Sequence, residues 1–400
     1  MKRILHISKY YFPFRGGTEQ IAQDCVDALR DQYEQKVICF NEGKEDRRDT
    51  VDGIEVIRAG VNATVASQGL SVSYRKLLSR ELADFRPDII VFHYPNPFVA
   101  RYLLWLIPAG CRLVIYWHLD IVKQKFLKRF FAGQNRRLVE RADVLIATSP
   151  NYVDGSPWLR SAREKCAVVP NCINEKRLAV TPEAEAFAGR IRADNPGKIL
   201  CVAVGRHTAY KGFDCLIRAA HLLDDRYQVY ILGEGEESER LKVEAGDDIK
   251  IHFPGRVGDD VLKGSLLASD IFCFPSVSRN EAFGVALAEG MYFGKPAVTF
   301  TIPGSGVNYV CPDGETGIEV ENRNIEAYAA AIQKLGEDED LRRRMGEAGR
   351  KRVGENFLNR QFRENIRSVF SPLGSSPRSS PRGSGLSGEK GTKGQNYQEF

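Results

Sequence analysis

In the first 170 residues, short apolar runs alternate with longer stretches in which apolar positions recur every three or four residues. The runs at residues 4–8, 37–40, 54–58, 88–92, 112–117, 144–148 and 167–169 predict strands. Residues 18–30 predict a helix with Ile21, Cys25, Val26 and Leu29 on one face. Strands and helices alternating in this way predict a parallel, doubly wound sheet. The rhythm restarts later, with strands at 199–204, 229–232 and 271–274. A helix is predicted at 213–223, with Leu216, Ile217 and Ala220 turned inward, and another at 283–293, closed by Gly294 and Pro296. Charged helices are predicted at 325–335 and 341–355, and Phe357, Phe362, Ile366 and Phe370 mark a last amphipathic helix. Beyond Ser371 the chain is mostly Ser, Gly, Pro, Arg and Lys, which predicts disorder.

Four hundred residues are enough for two or three domains with substantial cores. The chain enters an apolar strand directly after Met1-Lys2-Arg3, so no signal peptide is expected. The best membrane-span candidate, residues 98–117, is interrupted by Arg101, Pro108 and Arg112, so no span is expected either. Nine scattered cysteines predict reduced thiols in the cytoplasm, and six scattered histidines predict no metal site. The acidic triplet Asp338-Glu339-Asp340 lies between charged helices, away from any strand end, and reads as solvated.

Charge is uneven. Residues 1–172 carry 26 basic and 19 acidic side chains, net +7, and the remainder 31 and 33, net −2, recovering the overall +5. Much of the surplus lies at Arg101, Arg112, Lys123, Lys125, Lys128, Arg129, Arg136, Arg137 and Arg141, opposed only by Asp120 and Glu140. Basic residues interleaved with Phe and Leu suit an anionic membrane surface; the alternative is an ordinary solvated helix. No nucleic-acid recognition motif accompanies the charge, so no nucleic-acid partner is expected.

The richest stretch for chemistry is Pro275 to Met291. The run Ile271-Phe272-Cys273-Phe274 precedes it and a helix follows, so its loop belongs at the carboxyl end of a strand, where open α/β sheets hold ligands. Between Ala282 and Gly294 the only charged side chain is Glu289, which must find hydrogen-bond donors if buried. Glu281 stands just before the helix, and Gly284 permits close approach of a ligand to the first free amides. Two acceptors flanking an anion hole suit a sugar nucleotide, although glutamates at this spacing also occur in ordinary helices. Gly205-Arg206 followed by Lys211-Gly212 at a second strand-to-helix turn fits a phosphate clamp, with Arg206 a planar fork and Lys211 a point charge. His93 and His118 each follow a strand and belong at the carboxyl edge of the first sheet. The first turn, with Gly16-Gly17 opening a helix, carries no dinucleotide fingerprint.

Asn280-Glu281-Ala282-Phe283-Gly284 through Ala288-Glu289-Gly290, with Gly294-Lys295-Pro296 behind it, resembles the paired-glutamate signature of family 4 retaining glycosyltransferases. The resemblance covers residues 1 to about 370. It implies the GT-B fold: two Rossmann-like doubly wound domains facing an interdomain cleft. The first would span 1–172, the second 173–355, a helix at 356–370 would cross back, and 371–400 would be a disordered tail. The family's crossing motif is matched by Val169-Pro170-Asn171-Cys172, except that Cys172 stands where a glycine usually follows the asparagine.

By the same resemblance, Gly16 and Gly17 face the cleft near donor phosphate and acceptor, and His118 touches the transferred sugar. Arg206 and Lys211 hold the pyrophosphate, Gly233 turns near the nucleotide, and the 251–257 segment, with Arg256 and Val257, is the loop that holds the base. Glu281 orients the sugar hydroxyls, Ala282, Phe283, Gly284 and Val285 offer amides, and Glu289 holds the ribose. The implied catalytic set is His118, Glu281, Arg206 and Lys211, with no metal and no cofactor beyond the nucleotide-sugar donor. GDP-mannose is the favoured donor, with UDP- or dTDP-sugars as alternatives. The implied acceptor is a lipid-linked glycan or oligosaccharide of bacterial surface-polysaccharide synthesis, met by a cytoplasmic enzyme peripheral to the inner face of the membrane. The opening strand and Trp117-His118-Leu119-Asp120 most resemble mannosyl- or rhamnosyltransferases. The competing readings are a sugar-nucleotide 2-epimerase of the same fold and a non-catalytic nucleotide-sugar-binding scaffold.

Overall fold

The computed structural model describes residues 1–14, 16–65, 68–120 and 125–375. It contains two large sheets, one in each half of the chain. The first has eight strands in the order Cys166–Val168, Val144–Ala147, Arg112–Trp117, Ile89–Tyr94, Lys2–Ile7, Tyr33–Phe40, Ile54–Ala59, Arg47–Val51. Every pairing is parallel except the last. The second has six parallel strands: Ile251–Gly255, Tyr227–Leu232, Ile199–Val204, Ile271–Phe274, Ala297–Phe300, Gly317–Val320. Strand order reverses at Lys2–Ile7/Ile89–Tyr94 in one sheet and at Ile199–Val204/Ile271–Phe274 in the other. A crevice opens at the carboxyl end of such a reversal, and both crevices fall on the edges where the two halves meet.

Three expectations change. Residues 47–51 form an antiparallel edge strand that no apolar run announces, because it starts Arg47-Arg48-Asp49. Charge suits an exposed edge, and these charges are partnered: Arg48 binds Glu55 at 2.6 Å and the buried Glu81, and Asp49 takes Arg58. Residues 251–255, expected as a loop, are the edge strand of the second sheet, and only Arg256 and Val257 follow as loop. The last helix is Asn359–Ser375, so it runs past residue 371 into the segment expected to be disordered. Residues 376–400 lie outside the described residues.

The last helix packs on helix Gly17–Leu29. Phe362, Ile366, Phe370 and Leu373 join a core with Ile4, Ile21, Cys25 and Leu29, each buried aromatic contributing roughly 2–3 kcal/mol. Arg367 secures the contact by donating to Ala28 O at 2.8 Å and to Asp31 at 2.6 Å. Cys172, at the crossing, is buried and directs its thiol to Asp24 Oδ2 at 3.6 Å. The acidic triplet has a structural use: Asp338 caps helix Glu339–Asn356 by accepting from Leu341 N at 2.8 Å, and Asp340 binds Arg343.

Candidate functional site

At the carboxyl edge of the second sheet, the turn after Ile199–Val204 ends in Lys211, whose Nζ donates to Glu281 Oε2 at 2.5 Å. Ser276 Oγ donates to the same oxygen at 3.2 Å. The Lys211 ammonium also lies 5.1 Å from the Phe274 ring centre. Burial opposes its charge, but attraction from Glu281 wins and holds it above its ordinary value. Arg206, on the same turn, is exposed and makes no ion pair among the described residues. Lys9, from the first sheet, loses basicity through burial and through the nearby Arg206, with Glu19 acting the other way. Cations from both halves therefore face one space.

Glu289 is buried on helix Val285–Tyr292. Its donor is Arg177 Nη2, and Arg177 Nη1 reaches Asp259 at 3.1 Å. Burial raises the Glu289 carboxyl above its usual range despite Arg177. Gly284 caps the start of the helix at φ +97°, a backbone that side-chain-bearing residues rarely adopt, with no side chain capping the first free amides. The carbonyl of Ala282 is held by Gly306 N at 3.0 Å and Thr148 Oγ1 at 3.0 Å.

Beside these residues lies a cavity of about 1000 Å³ lined by Gly205, Arg206, His207, Gly233, Glu234 and Arg256 among others, with Val257 also on its wall. Gly233, at φ +128°, is required there, because a Cβ would stand 2.0 Å from Gly205 O. The cavity has the size of small-molecule sites.

On the first sheet, His118 is buried and pairs its Nε2 with His93 Nδ1 at 3.0 Å. Two residues on, Asp120 accepts from Trp117 Nε1 at 2.9 Å and Ser156 Oγ at 3.0 Å, and from Arg279 of the other half at 2.8 Å. Gly16 caps helix Gly17–Leu29, and the Glu19 carboxylate folds back over it, accepting from Thr18 Oγ1 at 2.9 Å. A Cβ on Gly17 would meet nothing within 4 Å. The aromatic loop before it is clamped by Arg58, which donates to Tyr11 O at 3.3 Å and Phe12 O at 2.5 Å while Asp49 holds its Nε.

The structure thus places Lys211, Glu281, Ala282, Phe283, Gly284, Val285 and Glu289 around one strand-to-helix turn, with Gly233, Arg256 and Val257 on the adjoining cavity. His118 and the Gly16-Gly17 turn stand on the facing edge. Lys211 is engaged by a carboxylate and Arg206 is not. Four residues escaped sequence reasoning: Arg177, Arg279, Asp120 and Arg58. Arg279 and Asp120 lie within quoted motifs, but nothing in their spacing pairs them. Lys123, and the side chains of Lys125, Lys128 and Arg129, lie outside the described residues.

Residues 185–352 match the family described as glycosyl transferases group 1, and residues 15–177 match the one described as Glycosyltransferase Family 4. The chain is 31% identical over 361 residues to D-rhamnosyltransferase WbpZ of Pseudomonas aeruginosa, covering 89% of this chain and 92% of that protein. It is 29% identical over 362 residues to O-antigen chain mannosyltransferase C of Escherichia coli, covering 89% and 94%. Among solved structures, sucrose-phosphate synthase from Thermosynechococcus elongatus superposes with a TM-score of 0.76 at 19% identity, covering 93% of this chain and 99% of that one. Anabaena HepE in complex with UDP and glucose gives 0.74 at 18% identity, covering 93% and 100%.

Proposed function

The chain belongs to the family 4 glycosyltransferases and has their GT-B fold, and from that premise we propose that it moves a mannose or rhamnose residue, with retention, from a nucleotide sugar to a lipid-linked or oligosaccharide acceptor in bacterial polysaccharide synthesis. The observation that carries this reading is the Lys211–Glu281 pair beside a nucleotide-sized cavity, with unpaired Arg206 at the cavity wall. The relatives named as mannosyl- and rhamnosyltransferases favour those sugars, and we take the donor to be GDP-linked. The UDP complexes among the structural neighbours keep UDP-sugars in the comparison.

In this reading the departing nucleoside diphosphate gathers charge as the glycosidic bond breaks. Arg206, Lys211 and the amides near Phe283–Val285 stabilise it, doing what a metal ion does elsewhere. Glu281, sharing Lys211 with the phosphate, orients the sugar hydroxyls. Glu289 accepts from the ribose alongside Arg177, and His118 meets the sugar from the other edge. Two facing carboxylates flanking the anomeric carbon, as in a double-displacement glycosidase, are not part of the scheme. No helix among the described residues is long and apolar enough to cross a membrane. We place the enzyme at the inner face of the cytoplasmic membrane through its basic first half.

The test is a donor screen that follows nucleoside diphosphate release with and without a lipid extract carrying polysaccharide precursors. Release from GDP-mannose or GDP-rhamnose that rises with the extract supports the reading. Epimerised donor without acceptor, or binding with no turnover of any donor, would replace it by the epimerase or the scaffold.

A further inference from the structure

His118 and His93 sit at the ends of neighbouring strands, and register sets His93 opposite Tyr116, whose ring stacks on both, with centroids 5.7 Å from His93 and 4.5 Å from His118. The bond between His93 Nδ1 and His118 Nε2 is 3.0 Å long and holds one proton, so one ring donates and the other accepts. Which does so follows from their surroundings.

His6, stacked 6.1 Å beyond His93, shows how this layer is protonated. Gln35 Nε2 donates to Val26 O at 2.9 Å, so Gln35 Oε1 is the acceptor facing His6 Nε2 at 2.8 Å. His6 therefore carries its proton on Nε2 and leaves Nδ1 a buried nitrogen without a partner. At His93 the unpartnered buried nitrogen is Nε2. A proton there would strand an N–H among packed rings, and stranded buried N–H groups are the rarer defect, whereas His6 shows a bare nitrogen tolerated in the same layer. The His93 proton accordingly belongs on Nδ1, donated to His118 Nε2. Burial keeps both rings neutral, lowering His93 well below its ordinary value and His118 to about 3.

We propose that His93 is a positioning residue that fixes His118 as the Nδ1–H tautomer, so that His118 offers the transferred sugar a hydrogen-bond donor rather than an acceptor. This rests on the reading that His118 meets that sugar. A donor at this place selects for an oxygen held with its lone pair toward His118, which the sugar can supply as a ring hydroxyl or as its ring oxygen.

Two measurements test it. Long-range ¹⁵N–¹H correlation spectra of the full chain, with His118 assigned by loss of its signals in His118→Gln, should show a protonated Nδ1 and a bare Nε2. The reverse pattern overturns the proposal without any variant at His93. In turnover, His93→Asn keeps an amide N–H near the place of Nδ1, while His93→Phe keeps the stacked ring and removes the donor. His93→Asn should stay within about threefold of wild type, and His93→Phe should lose roughly tenfold or more in kcat with KM for donor little changed. Equal loss in both variants overturns the proposal. Wild-type turnover in His118→Ala would instead overturn the assignment of His118 to the sugar, leaving the tautomer result standing.

Discussion

Arg279 donates from Nη2 to Asp120 Oδ2 at 2.8 Å, and the two residues come from opposite sheets, 159 positions apart. Arg279 stands two residues before Glu281 and Asp120 two after His118. The second Arg279 nitrogen donates to Gly155 O, and Asp120 is braced by Trp117 and Ser156. This pair therefore sets how far apart the two groups proposed to meet the sugar stand. Arg279→Lys and Asp120→Asn should lower kcat about tenfold or more, because small misplacement of positioning groups is costly. Free nucleoside diphosphate should bind as in wild type, since Arg206 and the cavity are untouched. Calorimetry with steady-state kinetics checks this; an equal loss of nucleotide affinity would show that the pair serves the nucleotide and not the spacing.

Arg206 and Lys211 separate by partner. Arg206 makes no ion pair among the described residues, so Arg206→Ala should cost roughly a hundredfold in turnover with melting temperature unchanged. Lys211→Ala should cost as much and also lower the melting temperature, because it leaves Glu281 with Ser276 alone. Turnover should be indifferent to EDTA. A strict need for added Mg²⁺ or Mn²⁺ would remove the two cations from their proposed role.

The parts of this site that were legible in the sequence are those whose partners are local. Glu281, Gly284 and Glu289 share one turn and helix, and the run before them announces the strand. Arg206 and Lys211 flank one loop. What was not legible depends on chain crossings. Arg177 meets Glu289 across 112 positions. Arg58 looks like the end of a strand, yet it is buried and holds two carbonyls of the aromatic loop. The edge strand at 47–51 was missed because its signal is charge pairing with Glu55, Glu81 and Arg58, to which apolar periodicity is blind.

Three buried histidines of the first half, with buried His207 of the second half lowered in the same sense, make folding sensitive to acid. His6 is lowered to about 4, His118 to about 3 and His93 well below its ordinary value, each chiefly by burial. A depressed folded value means that stability is present above the unfolded value of about 6.5 and lost as pH falls below it. Each histidine contributes a slope of about 1.4 kcal/mol per pH unit in that window. Asp24, raised to about 6 by burial, acts in the opposite sense between pH ~4 and ~6 and offsets about one proton. His6→Gln should flatten the fall in stability by one histidine's share, read from denaturation midpoints between pH 4.5 and 7. An unchanged slope would mean that His6 titrates normally.

The basic segment can be tested without knowing the acceptor. If Lys123, Lys125, Lys128 and Arg129 face anionic lipid, binding to phosphatidylglycerol vesicles should weaken steeply with salt, each contact contributing roughly 1 kcal/mol. Replacing all four by Gln should release the protein while leaving nucleotide affinity intact. Vesicle binding equal to wild type would return the segment to an ordinary solvated helix.

Glu281 and Glu289 differ in what holds them, and that difference predicts different kinetics. Glu281 shares an oxygen between Lys211 and Ser276 at the crevice, and its side chain remains 12% exposed. Glu289, similarly buried at 10% side-chain exposure, is tied instead to Arg177, and burial raises its carboxyl. A group that grips the ribose holds a part of the donor that hardly changes during reaction, so its loss appears in KM and in the affinity of free nucleoside diphosphate alike. Glu289→Gln should therefore weaken nucleoside diphosphate binding about tenfold with a smaller change in kcat. Part of that loss comes from Arg177, which keeps Asp259 but loses its buried partner. Arg177→Gln should reproduce part of the affinity loss, because it leaves the Glu289 carboxylate without its donor. Glu281→Gln removes the charge and one of the two acceptor oxygens proposed for the transferred sugar and loosens Lys211, so kcat should fall about a hundredfold while nucleoside diphosphate binds within a few-fold of wild type. Calorimetry with free nucleotide beside steady-state kinetics separates the two. Wild-type nucleotide affinity in Glu289→Gln, or a binding defect alone in Glu281→Gln, would exchange the roles of the two carboxylates.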